Sequence, residues 1–316
     1  MRDHGGNLDE ARAAWGQGDW IDLSTGINRQ PYPLPSLPPE AWTNLPAASA
    51  QAALLEAAAT AFGTAAPGLA VAGAQAAIQM IPLLETPGLA RVLAPTYNEH
   101  AACLRQAGWR VEEVGRLEAL SGADLAIVVN PNNPDGRHHR GEALRRLSVG
   151  MLVVDESFAD PAPGESLVAE ASDRLLVLRS FGKFWGLAGL RLGFVYAGGD
   201  VIRRLSALAG PWPVSGPALE VGRIALGDRD WRERTIRRLS GEAARLDRLA
   251  QGAGWTLAGG THLFRLYETP DARQAQAALA QHHVWTRRFP YSDAWLRLGL
   301  PGNEGEWQRL EAALGA

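Results

Sequence analysis

The chain has 316 residues, enough to bury a large core as one big or two modest domains. A net charge of −3 and a pI near 6.2 give no support for binding nucleic acid or an anionic membrane surface. One cysteine, Cys103, excludes an intrachain disulfide, and without a long apolar run or an N-terminal signal core the expectation is a soluble cytoplasmic protein.

Residues 1–30 begin polar and Gly-rich, with His4-Gly5-Gly6-Asn7, and end in Trp20-Ile21-Asp22-Leu23-Ser24-Thr25-Gly26-Ile27-Asn28, a short strand running into a turn. Five prolines in 31–39 make an extended connection. An Ala-rich helix is expected over 49–62. Apolar strand-length runs follow at 69–72, 90–94, 109–114, 124–129, 151–154, 174–178 and 192–197, with helices at 74–84, 99–107 and 141–147. Strands rich in Val, Leu and Ile between helices predict a mostly parallel seven-stranded sheet covered on both faces, over about 40–205.

Gly210-Pro211-Trp212-Pro213 then marks a change of regime. Beyond it the pattern gives a long helix at 228–251, strands at 255–257, 262–267, 284–287 and 295–298, and helices at 271–281 and 303–314. The expected organisation is α/β, with a large domain at 40–205 and a smaller α+β domain made of 1–39 and 206–316. The eleven tryptophans are scattered, which suits core or subunit-interface positions.

Lys183 is the only lysine in the chain, so the other basic residues are all arginines. An arginine stays protonated, whereas a lysine in an apolar setting can lose its proton and attack a carbonyl. Such an amine forms a Schiff base with an aldehyde, most commonly pyridoxal 5′-phosphate. Ser180, three residues earlier, and Arg191, eight later, put a hydroxyl and a guanidinium beside it on a Gly-containing turn, a natural anion cradle.

Four further strand ends carry polar groups. Gly73, Ala74 and Gln75 turn a strand into a helix and expose backbone N–H groups. Tyr97 follows the strand at 90–94, and His100 beside it reads as a core or supporting histidine. Asn130-Pro131-Asn132-Asn133 follows the strand at 124–129, at a strand end where open α/β sheets bind ligands. Asp155 ends the strand at 151–154, where a buried carboxylate is costly unless paired. Near the C-terminus, Arg297 lies in Trp295-Leu296-Arg297-Leu298-Gly299.

In this order the motifs resemble those of the aspartate-aminotransferase-like, fold type I (class I/II) pyridoxal-phosphate enzymes. The resemblance implies that fold and cofactor, and usually a homodimer. It implies that Lys183 bonds the cofactor aldehyde and that Asp155 faces the pyridine nitrogen. Tyr97 would stack on the ring and Asn133 donate to the phenolic oxygen. Gly73, Ala74, Gln75, Ser180 and Arg191 would hold the cofactor phosphate, and Arg297 the substrate carboxylate. Phe158 departs from the pattern, since a tyrosine often stands there. A further departure is Trp42-Thr43-Asn44-Leu45-Pro46, where the family commonly lends a tyrosine across the dimer.

The N-terminal motifs resemble those of the threonine-phosphate decarboxylases of cobalamin synthesis. That likeness adds His4, Gly5, Asn28 and Arg287, with Asn133, to the substrate-binding set. It implies decarboxylation of L-threonine O-3-phosphate to (R)-1-amino-2-propanol O-2-phosphate. Histidinol-phosphate aminotransferase is the competing expectation, sharing fold, cofactor and a phosphorylated substrate.

Overall fold

The computed structural model describes residues 4–315. Contacts divide the chain into two units: residues 32–133 with 138–232, and the chain up to Pro31 with Pro134–Arg137 and everything from Glu233 onward.

The larger unit is built on a seven-stranded sheet. Its strands run in the order Gly68–Val71, Gly193–Tyr196, Leu175–Ser180, Met151–Asp155, Leu125–Val129, Leu89–Leu93 and Arg110–Val114. Gly193–Tyr196 is antiparallel to both neighbours, and the remaining pairs are parallel. Leu125–Val129 and Met151–Asp155 are buried at every residue, which explains why 125–129 and 151–154 are unbroken apolar runs rather than alternating ones. The core on one face joins Val92, Ile127, Val153 and Leu178 of the sheet to Ala77, Ile78, Leu104, Val201 and Leu205 of its helices.

The helix expected over 74–84 is Ala74–Met80 followed by a 3-10 turn at Ile81–Leu83, because Pro82 lacks the N–H that would continue it. Two helices, Gly199–Ala209 and Gly216–Gly227, were not anticipated, and the Gly/Pro break lies between them. The two units differ from the expected domains over residues 32–39 and 206–232, which sit with the large sheet, and over Pro134–Arg137, which belong to the smaller unit. Tyr32 N donates to Trp185 O (2.9 Å), Trp231 stacks on Trp185, and a Cβ at Gly222 would lie 2.9 Å from Leu54 and 2.5 Å from Leu192.

The smaller unit holds an antiparallel sheet of Arg287–Phe289, Ser292–Gly299, Phe264–Glu268 and Thr256–Thr261. A two-stranded parallel ladder pairs Ile21–Asp22 with Val284–Trp285. The run expected as one strand at 284–287 therefore serves two sheets, with Thr286 between them. The polar leader contains a helix, Leu8–Trp15, capped by the Asn7 side chain on Glu10 N. Its Ala11 is buried with Trp20, Ala280 and Trp285. Among the described residues no helix is long and apolar enough to cross a membrane.

Candidate active site

The ends of Gly68–Val71, Leu175–Ser180, Met151–Asp155, Leu125–Val129 and Leu89–Leu93, together with the loops that follow them, line one cavity in the larger unit. Its volume is about 180 Å3, several times what one water needs. Gly73, Ala74, Gln75, Tyr97, Asn133, Asp155, Ser180, Lys183 and Arg191 all line it.

Asp155 closes the Met151–Asp155 strand and is 2% exposed. His100 Nε2 lies 2.8 Å from its Oδ2, and because a carboxylate only accepts, that nitrogen carries the proton. Ser157 donates twice to Oδ1, from its backbone N–H at 2.9 Å and its hydroxyl at 2.5 Å. Burial alone would raise the pKa of Asp155, but the bonds from His100 and Ser157 outweigh it and hold the carboxyl below its ordinary value. Asp155 is therefore an anion fixed at the cavity wall.

Gly73 and Arg191 are made for one another. Gly73 has φ +76°, and a Cβ there would stand 2.6 Å from Arg191 Nη2, so only glycine leaves room for the guanidinium. Arg191 itself adopts a left-handed conformation, φ 55°, with Nη1 donating to Ala188 O at 3.1 Å. A Cβ at Gly193 would lie 2.5 Å from Ala74 N, which lets the Gly193–Tyr196 strand pass close beneath the same turn. Ser180 pairs with Gly193 in that ladder. A hydroxyl, a guanidinium and turn backbone thus converge.

Tyr97 donates to Gln75 Oε1 at 3.1 Å, and Gln75 Nε2 donates to Glu99 at 3.2 Å. Burial first, then the charges of Glu99 and Asp155, push the Tyr97 phenol up to about 12, so it stays neutral. Lys183 lies on the turn after Ser180, and its Nζ is 5.6 Å from the centre of the Phe158 ring. Behind the strand ends, fully buried Arg179 ties Glu156 (3.0 Å) to Asp160 (2.7 Å). This clamp joins the loop after Asp155 to the strand that ends in Ser180. Among the described residues no group of three or more His, Cys, Asp or Glu could hold a metal ion.

The aminotransferase class I and II model matches residues 20–314. The chain belongs to that family. A threonine-phosphate decarboxylase from Pseudomonas aeruginosa is 44% identical to it over 327 residues, covering 99% of this chain and 97% of the relative. A second, from Sinorhizobium sp, is 42% identical, covering 98% and 97%. The solved histidinol-phosphate aminotransferase of Sinorhizobium meliloti, in complex with pyridoxal-5′-phosphate, superposes with a TM-score of 0.81 at 19% identity, covering 99% of this chain and 94% of that one. That likeness shows the fold.

Within this aminotransferase-family chain, the expected residues fall into two groups. The nine expected at the cofactor share the cavity. His4, Gly5, Asn28, Arg287 and Arg297 belong to the smaller unit. There Arg297 is buried and donates to Ser24 O at 2.7 Å, the carbonyl that a Cβ at Gly5 would strike at 2.5 Å. Arg287 is its cross-strand neighbour. His4 is exposed, whereas Asn28 is buried and its side-chain oxygen accepts from Gln30 N (3.1 Å) and Arg238 Nη2 (2.8 Å). That oxygen is committed to holding the small unit together.

Ser157 was missed as a site residue. Its signal was local, since Asp-x-Ser after a strand is a spacing at which a side-chain carboxylate accepts from the chain two residues on.

Proposed function

We propose that this chain is a pyridoxal 5′-phosphate enzyme that converts L-threonine O-3-phosphate to CO2 and (R)-1-amino-2-propanol O-2-phosphate, a step of cobalamin biosynthesis. One observation carries the reading. The chain's single lysine shares a cavity with an anionic carboxylate and a Ser/Arg cradle, in a protein similar over its whole length to two threonine-phosphate decarboxylases.

The groups at the cavity fit the cofactor part by part. Ser180, Arg191 and the backbone of Gly73, Ala74 and Gln75 suit its phosphate, and the space a Cβ at Gly73 would fill is already used by Arg191. Asp155 suits the pyridine nitrogen, Asn133 the phenolic oxygen, Tyr97 a ring face and Lys183 the aldehyde. Bound pyridoxal phosphate supplies a carbonyl for amines and a ring that accepts the electron pair left when a bond at Cα breaks. Asp155 would set its negative charge against the ring nitrogen and keep that nitrogen protonated. Lys183 Nζ moves the proton that replaces CO2 at Cα. Arg297 binds the substrate carboxylate, and Arg287 adds positive charge for the substrate phosphate. Because Phe158 brings no hydroxyl, one donor common in the family is missing, and Asn133 serves the phenolic oxygen without it.

We read the working unit as a homodimer in the cytoplasm. Leu34, Trp42, Leu45 and Trp212 are all more than half exposed and line a single apolar groove in the larger unit, a surface a second copy would cover. Cys103 is a buried thiol in no disulfide, in keeping with a reducing compartment.

The test gives the cofactor-loaded protein L-threonine phosphate with no keto acid and follows CO2. Multiple-turnover release is the expected result. Absence of CO2, with pyridoxamine phosphate accumulating in a single half-turnover, moves the reading to an aminotransferase.

A further inference from the structure

The Asp155 carboxylate has about four acceptor directions. Ser157 takes two on Oδ1 and His100 takes one on Oδ2, so a single direction remains, on a residue that lines the cavity. The two bonds to Oδ1 come from one residue by independent routes. His100 on Oδ2 and the Ser157 N–H on Oδ1 already limit rotation of the carboxylate about its Cβ–Cγ bond. The Ser157 hydroxyl, at 2.5 Å the shortest of the three bonds, narrows that rotation further. Ser157 is itself 8% exposed and also lines the cavity, so its hydroxyl meets little competition from water.

We infer that Ser157 is a positioning residue for the cofactor, its hydroxyl fixing Asp155 so that the remaining acceptor on Oδ2 faces the ring nitrogen. The inference rests on the pyridoxal-phosphate reading and extends it to a residue outside the cofactor-contacting set. The low native pKa of Asp155 agrees with it, because bonds to the charged form hold the carboxylate ionised.

A double-mutant cycle tests it, using full-length Ser157→Ala, Asp155→Asn and the double variant beside wild type. Pyridoxal phosphate is titrated into each cofactor-free protein and followed by fluorescence quenching. The pH midpoint of the bound cofactor's visible absorption is then measured. Ser157→Ala is expected to bind about tenfold more weakly, the worth of one charge-assisted hydrogen bond, and to move that midpoint. In the Asp155→Asn background the same change is expected to cost less than about twofold. Equal losses in both backgrounds, or an unchanged Ser157→Ala, overturn the inference.

A second arm needs no cofactor. Acid unfolding of the cofactor-free proteins is expected to shift to higher pH in Ser157→Ala, because Asp155 then protonates sooner as pH falls. No such further shift is expected when Asp155→Asn is already present. If wild type fails to bind pyridoxal phosphate, the cofactor reading falls. The acid arm still decides whether Ser157 acts through Asp155, and equal acid shifts in both backgrounds overturn that.

Discussion

Asp155 in the larger unit and Arg297 in the smaller one are both ionisable groups buried on strands, 2% and 5% exposed. Asp155 carries three hydrogen bonds from His100 and Ser157, and the balance holds its carboxyl ionised. Arg297 donates to Ser24 O, lies over the Phe264 and Phe289 rings at 5.0 and 5.8 Å, and is in register with Arg287 on the next strand. Burial and then the Arg287 charge push it down to about 10. The carboxylate is stabilised by its own unit. The guanidinium is desolvated beside a like charge, a position that a bound anion would relieve.

That contrast predicts very different costs of removal. Asp155→Ala deletes the acceptor for three buried donors, and the cofactor-free protein should lose about 3–5 kcal/mol in urea unfolding. Asp155→Asn, which keeps an acceptor oxygen, should lose less. Because the native pKa lies below the ordinary 3.8, the stability owed to the carboxylate is complete above 3.8 and disappears as pH falls through the lower native value. The acid limb of wild type should therefore be steeper than that of Asp155→Asn. A loss below about 1 kcal/mol in Asp155→Ala would show the three bonds to be idle.

A second arginine sharpens the comparison, because Arg191 is exposed and held by backbone rather than buried. Gly73→Ala places a side chain at φ +76° and 2.6 Å from its guanidinium. With ψ 158° this backbone lies in a positive-φ extended region essentially reserved for glycine, and a side chain there should cost about 1–3 kcal/mol in stability. Affinity should fall for pyridoxal phosphate and stay near wild type for pyridoxal, which has no phosphate to hold. Equal weakening for both would mean that the turn acts on the ring and not on the phosphate.

Strand positions were legible because a sheet covered on both faces demands unbroken apolar runs, and 125–129 and 151–154 supply them. The cavity residues were legible for a related reason. Asp155 directly follows one of those runs and Asn133 lies in the turn after the other, at the strand ends where ligands bind. The helix at Leu8–Trp15 was hidden by its polar face, although Asn7 and Glu10 stand at capping distance. Ser157 was hidden because its role lies in a bond to a neighbour and not in its own chemistry. For Asn28 the sequence could not reveal that Arg238, 210 residues away, takes its side-chain oxygen.

Arg297→Met is the variant with the smallest expected effect on the fold and the one that best divides the two regions. It removes a buried cation beside Arg287 and leaves an unbranched apolar chain against Phe264 and Phe289, contacts that suit methionine. It also takes the donor from Ser24 O, a loss of about 1 kcal/mol. The two effects oppose each other, and replacing buried charge by packed apolar groups is often neutral. Unfolding should therefore stay within about 1 kcal/mol of wild type, while, on the proposal that Arg297 holds the substrate carboxylate, KM for L-threonine phosphate should rise about tenfold or more. A variant that unfolds as readily as Asp155→Ala would mean that Arg297 is a structural ion like Asp155. One that stays folded with KM unchanged would remove Arg297 from the substrate site.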